Sequence, residues 1–145
     1  VLPDPPPPIC VVVVAGTRAR QDELGRLLSD DQISAVNGAR DAASAVDLVL
    51  ATGAAVVLVD LSLFAGGLEV IEKVMATRPT PVVVCGDAAG HPEAAIAAGA
   101  VDVVGALDVP AGSPRYAEAL RRHVRLASRV PVITHPRARL RGRLG

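Results

Sequence analysis

Aromatic residues are nearly missing from this chain of 145 residues, which has no Trp, one Tyr (Tyr116) and one Phe (Phe64). A core of stacked rings is excluded, and because 50% of the residues are hydrophobic the interior must be packed from Val, Leu, Ile and Ala. Cysteine is equally scarce. Cys10 opens one apolar run and Cys85 closes another, the setting of small buried hydrophobes rather than of a disulfide framework. His91, His123 and His135 are scattered and make no metal-ligand spacing with the cysteines, so all three read as surface residues. Long hydrophobic runs are absent too. The longest, 9–15, falls far short of the roughly 20 residues that span a bilayer. No charged segment with a small-residue cleavage site precedes it, so the cytoplasm is the expected location and no membrane partner is expected.

Nor is there an excess of either charge, with 15 basic and 15 acidic side chains. The balance conceals an asymmetry: residues 115–145 hold nine arginines against Glu118 alone, so the preceding body is acidic. A basic end of this kind can meet phosphates or be a solvated helix face running into a linker. Arg121, Arg122, Arg125 and Arg129 have helical spacing, but no aromatic is interleaved among them and only Tyr116 is near. The solvated face is therefore expected, and nucleic acid is not an expected partner.

The length suits one domain, burying roughly 70% of its unfolded surface. Pro3 and Pro5 to Pro8 cannot enter a helix or a central strand, so residues 1–8 are expected to be an extended Pro-rich lead-in. From Ile9, short β-branched runs at 9–15, 33–36, 55–59, 81–85 and 101–104 alternate with helical patterns. The alternation predicts a parallel sheet, and runs apolar at every position predict strands covered on both faces.

The helix signals are paired starts and stops. Thr17 can cap a first helix to about Leu28, and Asp41 a second that Gly53 stops, with Ala45, Val46, Leu48 and Val49 inward. A third covers about 67–77, with Val70, Ile71, Val74 and Met75 as its core face. A fourth starts at His91 and Pro92 and stops at Gly99. A fifth opens at Ser113 and Pro114, with Leu120, Val124 and Leu126 as its apolar positions, and ends near Arg129. The domain is thus expected over 9–129, and 130–145, interrupted by Pro131 and Pro136, is expected to be a basic tail or interdomain linker.

Ligands of open parallel sheets bind outside the carboxyl ends of the strands. The residues there are Ala15, Gly16 and Thr17; Asp60; Gly86 and Asp87; Gly105, Ala106 and Asp108. Asp60 abuts the core at the end of Val56-Val-Leu-Val59, where its charge needs a partner. It is a candidate site residue, or a structural group that caps a neighbouring loop or pairs with Arg18. The loop Gly86-Asp-Ala-Ala-Gly90 lacks the Lys-Ser/Thr of a P-loop, and turn chemistry accounts for it.

The stretch Ala55-Val-Val-Leu-Val-Asp60, then Gly67-Leu-Glu-Val-Ile-Glu-Lys-Val-Met75, Arg78-Pro-Thr-Pro-Val-Val-Val84 and Ala97-Ala-Gly-Ala-Val-Asp-Val-Val104, resembles a response-regulator receiver domain. More narrowly it resembles the N-terminal receiver of the chemotaxis protein-glutamate methylesterases, over about 9–130. The resemblance implies a flavodoxin-like (βα)5 α/β fold, a three-layer sandwich with strand order 2-1-3-4-5, and a role in two-component or chemotaxis signalling.

By the same resemblance, Asp60 matches the phosphoacceptor, while the groups that normally serve it are replaced. Ala15 and Gly16 stand where receivers place the acidic pair that helps hold Mg²⁺. Gly86 replaces the hydroxyl that contacts the phosphoryl group, Ala106 the lysine that neutralises its charge, and Val103 the aromatic of the fifth strand. Mg²⁺ prefers octahedral oxygen ligands including carboxylates, so its binding is expected to be weak or absent, with no other cofactor.

The loop after Asp60 is one residue shorter than the usual receiver loop, and Phe64 occupies the place of its typical proline. The expected function is therefore that of a degenerate receiver, a non-enzymatic module acting by protein–protein contact. Its partner, or a second copy in a homodimer, would meet the face of the fourth helix, fifth strand and fifth helix, and an effector domain would follow the linker. Two alternatives accompany this expectation. One is an active receiver phosphorylated on Asp60 with substitute metal ligands, in which Asp87 and Asp108 at the strand carboxyl ends compensate and Thr17 or Arg18 faces Asp60 from the start of the first helix. The other is a small-ligand site in the crevice near Gly16, Gly86, Gly90 and Gly105. No serine lies in a nucleophile-elbow context, so ester hydrolysis is not expected of this chain alone.

Overall fold

The computed structural model describes residues 7–61, 66–86, 92–104 and 113–131. Five strands, β1 (Ile9–Val14), β2 (Ile33–Ala39), β3 (Val56–Asp60), β4 (Val82–Cys85) and β5 (Asp102–Val103), alternate with five helices. These are α1 (Arg18–Leu28), α2 (Ala42–Thr52), α3 (Gly67–Thr77), α4 (Pro92–Ala98) and α5 (Pro114–Ala127). All strand pairings are parallel, and the order is β2-β1-β3-β4-β5, the flavodoxin-like arrangement the resemblance implied.

The local chemistry explains the boundaries. The Thr17 hydroxyl accepts the Arg20 amide at 3.2 Å and starts α1. At α2 the Asp41 carboxylate accepts the Ser44 amide at 2.8 Å while the Ser44 hydroxyl answers the Asp41 amide, a reciprocal capping box. Gly53 ends that helix at φ 65°, a left-handed conformation costly for residues with a Cβ. Ser113 caps α5 through the Tyr116 amide, with Pro114 in the first turn.

The sheet divides the core into two apolar layers. Val11, Val13, Leu58 and Val83 face α1 and α5, meeting Leu24, Leu28, Tyr116, Leu120 and Val124. Val12, Val14, Val57, Val59, Val82 and Val84 face the opposite side, meeting Val49, Val70, Ile71, Val74 and Ala95. Successive strand residues therefore bury to opposite faces, which is why β1, β3 and β4 are apolar throughout.

Three expectations need correction. β2 runs on to Ala39 and is an edge strand whose Ser34, Asn37 and Gly38 are exposed. Its register against β1 slips between Val12 and Val14, a bulge braced by Gln21, whose buried amide donates to the Ala15 carbonyl and accepts from the Gly38 amide, both at 3.1 Å. Leu126, assigned to the inner face of α5, is 55% exposed, because α5 buries the 116, 117, 120, 124 and 127 positions. His123, read as a surface residue, is only partly exposed and its Nδ1 pairs with the Asp102 carboxylate of β5. The cysteines lie apart in the sheet, both free, Cys85 buried and Cys10 partly so.

Candidate functional site at the strand carboxyl ends

β3 delivers Asp60 to the carboxyl edge of the sheet with no exposed surface. A buried carboxylate is costly unless it is paired and hydrogen-bonded, and a cation meets it here: Arg20 Nε lies 2.7 Å from Asp60 Oδ2. The guanidinium comes from the first turn of α1, held by the Thr17 cap. A second ion pair joins Arg20 Nη1 to Glu23 Oε2 at 3.1 Å, one turn along the same helix. Sequence reasoning named Arg18 as the partner of Asp60. Arg18 is exposed, and the side chain that reaches the carboxylate belongs to Arg20, two residues later, roughly 200° further round the helix.

Two more groups complete the cluster. Cys85 stands beside Asp60 in the β3–β4 register, fully inside the core. Burial, reinforced by the Asp60 charge, pushes its thiol up to about 12. Tyr116 enters from α5 and is almost wholly buried. Burial first, then the neighbouring acidic groups Cys85 and Asp60, raises its phenol to about 12, while the positive charge of Arg20 pulls the other way. Burial alone would lower the Arg20 guanidinium, but its hydrogen bond and charge contact with Asp60, joined by Glu23, outweigh that and hold it above the ordinary arginine value. The four residues form a cation, an anion and two neutral acids at the junction of α1, β3, β4 and α5.

Of the positions singled out beforehand, the structure brings Asp60, Ala15 and Gly86 to the ends of neighbouring strands. Ala15 is fully buried, its amide bonded to the Ala39 carbonyl and its own carbonyl to Gln21. Gly86 follows β4 with φ 94°, a backbone that disfavours any residue with a Cβ. Val103 packs on the α3/α4 side of the sheet, the face away from Tyr116. Phe64, Asp87, Gly90, His91, Gly105, Ala106, Asp108 and His135 lie outside the described residues. Among the described residues no three His, Cys, Asp or Glu side chains are grouped to hold a metal ion, and no helix is long and apolar enough to cross a membrane.

Arg20, Tyr116 and Gln21 were missed as site or core-lining polar residues. Arg20 had one sequence signal, its place at the third position of a capped helix that begins at a strand carboxyl end. Tyr116 had another, as the sole Tyr at a core-facing position of α5.

The fold and the buried strand-end carboxylate define a receiver-type domain. In sequence it is similar to a methylesterase: it is 33% identical over 135 residues to protein-glutamate methylesterase/protein-glutamine glutaminase 3 of Paramagnetospirillum magneticum, covering 90% of this chain and 38% of that protein. The chain therefore spans well under half the length of that curated relative. Among solved structures, the response regulator domain of Thermotoga maritima CheB matches with TM-score 0.74 and 22% identity, covering 86% of this chain and 99% of that one. The receiver domain of NtrX from Brucella abortus matches with TM-score 0.67 and 23% identity, over 83% and 99% of the respective chains. No protein-family model matches the chain.

Proposed function

We propose that this chain is a regulatory module of a two-component or chemotaxis system that acts by protein–protein contact and does not use Mg²⁺-dependent phosphorylation of Asp60. The observation that carries this reading is the Arg20 guanidinium 2.7 Å from the Asp60 carboxylate. A receiver's divalent cation and phosphoryl donor would have to reach that carboxylate, and here a fixed positive charge already occupies one of its oxygens. An incoming Mg²⁺ meets like-charge repulsion from Arg20 and finds Ala15 and Gly16 where carboxylates would be needed. Gly86 adds a second obstacle, since its positive φ leaves a backbone ill-suited to a hydroxyl-bearing residue. The donor set among the described residues does not fit Mg²⁺.

The partner surface of this reading is the face of α4, β5 and α5. Ile96 on α4 and Leu126 on α5 are half exposed, and Arg115, Arg122 and Arg129 stand exposed along α5. Exposed apolar groups among arginines suit an acidic protein partner or a second copy. The domain of this reading spans 9–129, preceded by the lead-in at 1–8 and followed by a linker at 130–145 toward an effector, in the cytoplasm. The methylesterase relative suggests an esterase effector, whose chemistry these residues do not carry.

The test is an amide NMR titration with Mg²⁺ followed by beryllofluoride, an acyl-phosphate mimic. Spectra that stay unchanged at millimolar Mg²⁺ and after beryllofluoride support the proposal. Shifts clustered at Asp60 that extend to Val103 and α5 would overturn it and restore an active receiver.

A further inference from the structure

Five arginines lie on α5 and the turn that follows it, and the structure sorts them into two groups. Arg121 and Arg125 pair with Asp30 in the turn between α1 and β2, and Arg121 also donates to the Leu27 carbonyl. Arg115, Arg122 and Arg129 are exposed and join no ion pair among the described residues. On the helix, Arg115 and Arg122 are seven residues apart, which puts them about 20° apart in azimuth and about 10.5 Å apart along the axis. Ala119 and Leu126 repeat at the same interval, about 40° to one side of the arginines. Leu126 is 55% exposed, and the hydrogen-bonded turn after α5 carries Arg129 and the exposed Val130 onward in the same rhythm. The outward side of α5 is thus an apolar seam edged by cations, with Glu118 as its sole acid.

We propose that this row docks an acidic amphipathic helix of a partner protein, with Asp or Glu at heptad spacing beside an apolar seam of its own. The inference rests on the reading of the chain as a contact module and names the partner of its α5 surface. Spacing selects a helix. A second α-helix repeats its side chains over the same distance of about 10.5 Å, whereas a strand covers it in about three residues and turns every other acid away. Charge selects the sign and excludes two other occupants. A second copy placed by a two-fold axis would set arginine against arginine. Residues 132–145 of this chain hold four arginines and no acidic side chain, so they too meet the row with like charge. Leu126 and Val130 set the row apart from a phosphate-binding surface, whose contacts come from polar groups.

The test uses the whole chain without Mg²⁺, so its outcome is independent of whether Asp60 can be phosphorylated. The probe is a synthetic helical peptide with a leucine seam flanked by glutamates at heptad spacing, followed by amide NMR. Its comparisons are the same peptide with lysines, vesicles of phosphatidylserine and phosphatidylcholine, and a DNA duplex. We expect the glutamate peptide alone to bind, with shifts centred on Ala119, Arg122 and Leu126. Replacing Arg115, Arg122 and Arg129 together by Glu should weaken it roughly tenfold or more and transfer binding to the lysine peptide. These positions are exposed, so the fold should persist, as unchanged amide signals in the sheet would verify. Leu126→Ala should weaken binding about threefold to tenfold, and Arg125→Ala, whose cation faces Asp30, less than about twofold. Absence of binding, shifts centred away from α5, preference for vesicles or DNA, or dimerisation through α5 in sedimentation would each overturn the proposal. Mg²⁺ binding in the separate titration would defeat the proposed function while leaving this docking result intact.

Discussion

Two sets of ion pairs flank opposite ends of α5, alike in chemistry and different in surroundings. Its N-terminal turn buries Tyr116 within electrostatic reach of the Arg20–Asp60 ion pair, whose side-chain exposures are 17% and 0%. Further along, Arg121 and Arg125 meet Asp30 at 3.5 and 3.2 Å, all three about 30% exposed. Asp30 also accepts the Gln32 and Ile33 amides at 2.8 and 2.9 Å, so its place is set by its own turn. The difference lies in what happens when a partner is lost. Water and salt ions replace an exposed partner at little cost. Inside the core water does not replace a lost cation, so its removal is much costlier.

The largest expected effect is at the buried end. Arg20→Met should cost about 3–5 kcal/mol in urea unfolding, and the double replacement Arg20→Met with Asp60→Leu should cost less than the single one, because the buried carboxylate is removed together with its cation. A loss below about 1 kcal/mol for Arg20→Met would erase the contrast between the two ends.

Tyr116 sharpens it by titration. As the sole tyrosine of the chain it gives a clean absorbance signal, and its midpoint should lie near 12 in place of 10. With the folded-state value raised, the stabilisation is complete below pH 10 and is lost as pH climbs from 10 through about 12. Stability that stays flat across that window would show that the phenol is not held as described.

The smallest effects belong to the exposed end. Arg121→Ala removes a hydrogen bond to the Leu27 carbonyl along with an ion pair and should cost about 1–1.5 kcal/mol. Arg125→Ala should cost about 0.2–1 kcal/mol, and 1 M NaCl should abolish the difference from the unmodified chain. A salt-independent loss as large as that at Arg20 would make the two ends equivalent.

Much of the fold was legible beforehand because its signals are local. Thr17, Asp41, Gly53 and Ser113 act on backbone groups within a few residues of themselves, and the Val-rich runs advertise burial on both faces whatever they pack against. The errors fall where a neighbour decides. Leu126 looks apolar in sequence, but the rotation of α5 against the sheet turns it outward. His123 finds Asp102 only because α5 lies over β5. The edge role of β2 and its bulge at Gly38 depend on which strand is absent from its far side.

The site divides in the same way. That a carboxylate would end the third strand at the ligand-binding edge, with Ala15, Gly16 and Gly86 around it, follows from residue order alone, since strand ends and the βα rhythm place those positions before any packing is known. Which cation would meet Asp60 did not follow. Arg18 and Arg20 are both arginines at the start of one helix, and only the azimuth of α1 against β3 selects Arg20. Likewise the hydrogen bond from Arg121 to the Leu27 carbonyl spans 94 residues of chain, a contact created by packing α1 and α5 on one face of the sheet. Local chemistry set the elements and their ends; long-range packing, acting on side chains of equal chemical fitness, chose the partners.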